Sequence, residues 1–61
     1  MNKIIKFHFE NDKVISTILE KENENVEEII KAKWFINIEH MTEKYVCINL
    51  DKVILIEVCD E

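Results

Sequence analysis

The chain has 61 residues, 48% of them hydrophobic, a formal net charge of −5, and eight basic residues that are all lysine. One domain of about this length buries only about 60% of the surface its unfolded chain exposes, so it calls for extra core from a disulfide, a metal or an oligomer interface. The hydrophobic content excludes a disordered chain, the missing arginine and the acidic balance weigh against nucleic acid and anionic membranes, and apolar runs of at most four residues cannot span a bilayer as a helix.

Met1 to Glu10 alternates in polarity and lacks the apolar heart of a signal peptide, which makes a cytoplasmic location the expectation. From Lys3 to Glu10, Ile5, Phe7 and Phe9 share one face and Lys6, His8 and Glu10 the other, the period-2 pattern of an amphipathic strand. Asn11-Asp12 follows at hairpin spacing. With no Gly or Pro in the chain, Asn and Asp must supply the turns, because their side chains bond nearby backbone and tolerate positive φ. A second strand from Lys13 to Leu19 carries Val14 and Ile18 on one side and Ile15 and Leu19 on the other.

Glu20 to Asn25 is polar and connects. Asn25 with Glu28 three residues on resembles a capping box, and Glu27 and Glu28 suit the positive end of a helix. Val26, Ile29 and Ile30 fall at helical spacing and Lys31 and Lys33 suit its end, predicting a helix of about nine residues, or about 14 Å.

Trp34 to Met41 returns to strand character, with Trp34, Ile36 and Ile38 opposite Phe35, Asn37 and Glu39. Thr42-Glu43-Lys44 turns the chain into Tyr45 to Leu50. The terminal stretch from Tyr45 to Val58 would span about 46 Å as one strand, against a width of about 27 Å for a domain whose radius of gyration scales to about 10.5 Å. A turn at Asn49 to Lys52 is therefore expected, followed by a strand whose Val53 to Ile56 are apolar on both faces. The fold class is α+β, a small antiparallel-rich sheet with one short helix in the order β-β-α-β-β-β. The helix is expected to cover part of one sheet face, and a second copy or a different protein the rest. A sheet that curls into a barrel is the alternative.

No constellation points to chemistry. His8 and His40 follow no ligand spacing with Cys47, Cys59 or Glu39, and the two cysteines match no zinc or redox signature, so neither metal nor cofactor is expected. The carboxylates Glu20, Glu22, Glu24, Glu27 and Glu28 surround a helix start, where the helix dipole explains them. Ser16, the one serine, lies inside a strand, and without glycine there is no phosphate-binding loop. No catalytic residues are expected, nor an enzyme.

Trp34 and Phe35 point to opposite faces, so one packs beneath the helix and the other joins Tyr45 in an interface. Val53, Ile54, Leu55 and Ile56 complete the candidate interface set. The expected function is that of a small acidic protein-binding module acting as a homo-oligomer. An accessory or inhibitor protein of a phage or mobile element fits an AT-rich composition and could fill a basic cleft on its target. A different class, an oligomeric ring or dimer holding a small molecule, a nucleotide or single-stranded RNA between subunits, is the alternative.

Overall fold

A computed structural model describes residues 3–20 and 25–60. Strands β1 (Lys3–Phe9) and β2 (Val14–Leu19) precede helix α1 (Val26–Lys31). Strands β3 (Trp34–Glu39) and β4 (Lys44–Asn49), a 3-10 turn at Leu50–Lys52 and strand β5 (Val53–Asp60) follow. The order expected from the sequence holds. The terminal stretch divides at the Asn49–Lys52 cluster, where the Asn49 side chain accepts the Asp51 N–H at 3.0 Å.

The strands form two antiparallel sheets, one ordered β2-β1-β5 and one made of β3-β4. β1 is central because both its edges are used, with Phe7 opposite Ile15 on one side and Ile56 on the other. Asn11 and Asp12 do turn β1 into β2. Asp12 takes a φ of 62°, the left-handed region that Asp tolerates, and the Lys13 N–H reaches the Asn11 side chain at 3.3 Å.

Where the sequence predicted a helix as the cover of a single sheet, the second sheet performs that role. Ile5 and Phe7 of β1 and Leu19 of β2 pack against Phe35 of β3 and Val46 and Ile48 of β4. The Phe7 and Phe35 rings tilt against each other with centroids 5.0 Å apart, a favoured aromatic geometry. Helix α1 buries none of its residues fully; Ile29 only borders the core. The Cα radius of gyration is 11.1 Å, close to the size scaling, with extents of 29 × 23 × 19 Å.

The helix starts where predicted, on an Asn25 side chain that accepts the Glu27 N–H at 3.0 Å, but it runs for six residues rather than nine. Ala32 is already extended, and the Lys33 carbonyl accepts the Leu50 N–H at 2.9 Å. The chain leaves the helix early to enter the β3–β4 ladder. Glu22, Glu24 and the rest of the predicted connection from 21 to 24 lie outside the described residues.

Candidate protein-binding surface

Strand β3 is turned opposite to the usual rule for an amphipathic strand. Phe35, Asn37 and Glu39 face the other sheet, while Trp34, Ile36 and Ile38 face outward, each half-exposed. Asn37 and Glu39 nonetheless have a reason to be inside. Thr17, 1% exposed, donates to a Glu39 carboxylate oxygen at 2.5 Å and accepts from the Asn37 amide at 2.8 Å. The same carboxylate oxygen accepts the Ile18 backbone N–H at 3.4 Å, and the Asn37 amide donates to the Ile18 carbonyl at 2.9 Å. Thr42 donates to the other Glu39 oxygen at 3.1 Å. The Thr17 hydroxyl bond holds Glu39 below the usual carboxylate range; desolvation opposes it, and Thr42, the Ile18 N–H and nearby Lys44 add to it.

These bonds have a second effect. The backbone of Ile18 points away from β1, so it lies on the free edge of β2, and Asn37 and Glu39 satisfy both its groups. Lys44 does the same for the Ser16 carbonyl at 3.1 Å. Side chains of the hairpin thus occupy the edge of β2 as a paired strand would, a recognised way to block edge-to-edge association.

The exposed side of β3–β4 carries the candidate residues. In register, Trp34 lies opposite Asn49, Ile36 opposite Cys47 and Ile38 opposite Tyr45, with no charged group among the six. Trp34 and Tyr45 are 51% and 63% exposed, as the interface expectation requires. Phe35 is the correction. At 5% exposure it belongs to the core, because the strand face that holds it is the one stacked on Phe7. Ile36 and Ile38 share this outward face, and their common period with Trp34 is the sequence signal for it.

The second part of the predicted set also divides. Ile54 and Leu55 are exposed at 63% and 52%, whereas Val53 and Ile56 pack partly on the core. A bulge separates the two pairs, since His8 opposes Leu55 and Phe9 opposes Val53, leaving Ile54 as the extra residue. No protein-family model, curated protein or solved structure matches this chain.

The remaining polar groups do not gather into a reactive site. His8 pairs with Glu57 across the sheet at 2.5 Å, and His40 is exposed at the β3–β4 turn. Cys47 and Cys59 are both free thiols. Among the described residues, no three His, Cys, Asp or Glu side chains are placed to share a metal ion, and no helix is long and apolar enough to cross a membrane.

Proposed function

We propose that the protein is a non-enzymatic, acidic protein-binding module that acts as a homo-oligomer and grips its partner with the outer face of β3–β4. One observation supports this above all: β3 turns its polar residues inward and its apolar ones outward. Aromatic side chains of this kind offer about 150–250 Å² each when fully exposed, so Trp34, Ile36, Ile38 and Tyr45 together leave roughly 450 Å² of mostly apolar surface open. A patch of that size is within the range of the largest apolar patch on an ordinary monomer, which is often functional. Trp and Tyr are also the side chains most often found as binding hot spots.

The charge of −5 favours a target with basic groups around an apolar strip. A small accessory or inhibitor protein of a phage or mobile element would act in this way by occupying a basic cleft. Affinity capture from the native host with the wild-type chain and with Ile36→Asp tests the reading. A stoichiometric protein retained by the first and lost by the second is expected. Capture that does not depend on Ile36, or no capture at low salt, refutes it.

A second reading rests on an open cleft of about 690 Å³ between the β1–β2 turn and the start of β5, lined in part by Phe9, Lys13, Ile15, Ile48, Asn49 and Lys52. Its volume suits a small ligand, and its charged lining is balanced, with Lys13 and Lys52 against Glu10 and Asp51. A ratio of 260 to 280 nm absorbance above that of the protein alone would favour this reading over the first.

A further inference from the structure

We draw no further inference here: the strongest candidate, the outer edge of β5 in the three-stranded sheet, which pairs with no strand among the described residues, carries nothing because nothing in the structure shows what covers it.

Discussion

Thr17→Val tests whether the inward polar side of β3 is a bonded lock or a tolerated fault. Valine has the volume and branching of threonine, so packing at this fully buried site is kept and only the hydroxyl is lost. Two bonds disappear with it: the donation to Glu39 at 2.5 Å and the acceptance from Asn37 at 2.8 Å. A hydrogen bond to a charged group contributes about 1.5–3 kcal/mol and a neutral one about 1 kcal/mol. Part is recovered because Glu39 keeps Thr42 and Asn37 keeps the Ile18 carbonyl. A loss of about 2–3 kcal/mol at pH 7 follows, or about 10–20 °C in Tm for a domain of this size.

The effect also has a pH signature. Glu39 titrates below its ordinary range in the folded protein, chiefly through Thr17. Its ionised form therefore stabilises the fold above the unfolded carboxylate pKa of about 4.3, and that contribution fades as pH falls through the lower folded value. In Thr17→Val the folded value returns toward the ordinary one, so the gap between variant and wild type narrows between pH 7 and about pH 3. Thermal melts followed by the Trp34 fluorescence and by circular dichroism read both quantities. A fall in Tm below about 4 °C at pH 7, or an equal fall at both pH values, would refute the lock.

Phe7→Ala should cost about 3–5 kcal/mol, because Phe7 is wholly buried against Phe35, and urea denaturation should find the chain largely unfolded near room temperature. Glu43 holds a φ of 56° at the β3–β4 turn without the local bonding that asparagine offers there. Glu43→Asn should accordingly add about 0.5 kcal/mol, a rise of about 3 °C in a calorimetric scan. Asn49→Ala removes the cap of the 3-10 turn and should lower stability by about 1 kcal/mol in urea. Ile36→Asp should leave the melting curve within about 4 °C of wild type, since the side chain is already more than half exposed.

How much of this could be read from the residues depended on how local the deciding contact was. Ile5, Phe7 and Phe9 announced the buried side of β1 because an alternating strand next to a turn carries its own signal. The Asn49–Lys52 break and the Asn25 cap were legible for the same reason, each being made by a side chain that bonds backbone two residues away. The orientation of β3 was not legible. Its apolar side contains Trp34, Ile36 and Ile38, and periodicity alone would bury it. What reverses the strand is the partner offered by Thr17 and Ile18, some twenty residues earlier in the chain. The helix length failed similarly, because the contact that ends it joins Lys33 to Leu50. Which of the candidate surface residues are exposed was half legible. Adjacent Trp34 and Phe35 had to separate between the two faces, and the sequence did not say which one the core would take.

The central position of β1 has a consequence for how the fold assembles. Its neighbour β2 is reached through a short turn, but its other neighbour is the strand from Val53 to Asp60, so Lys3 meets Asp60 across nearly the whole chain. Closing so large a loop must precede most of the reward from pairing, which slows folding relative to a helical chain of equal length. Until β5 is in place, β1 has one edge empty. The β1–β2 hairpin by itself exposes the central edge that β5 conceals in the finished fold.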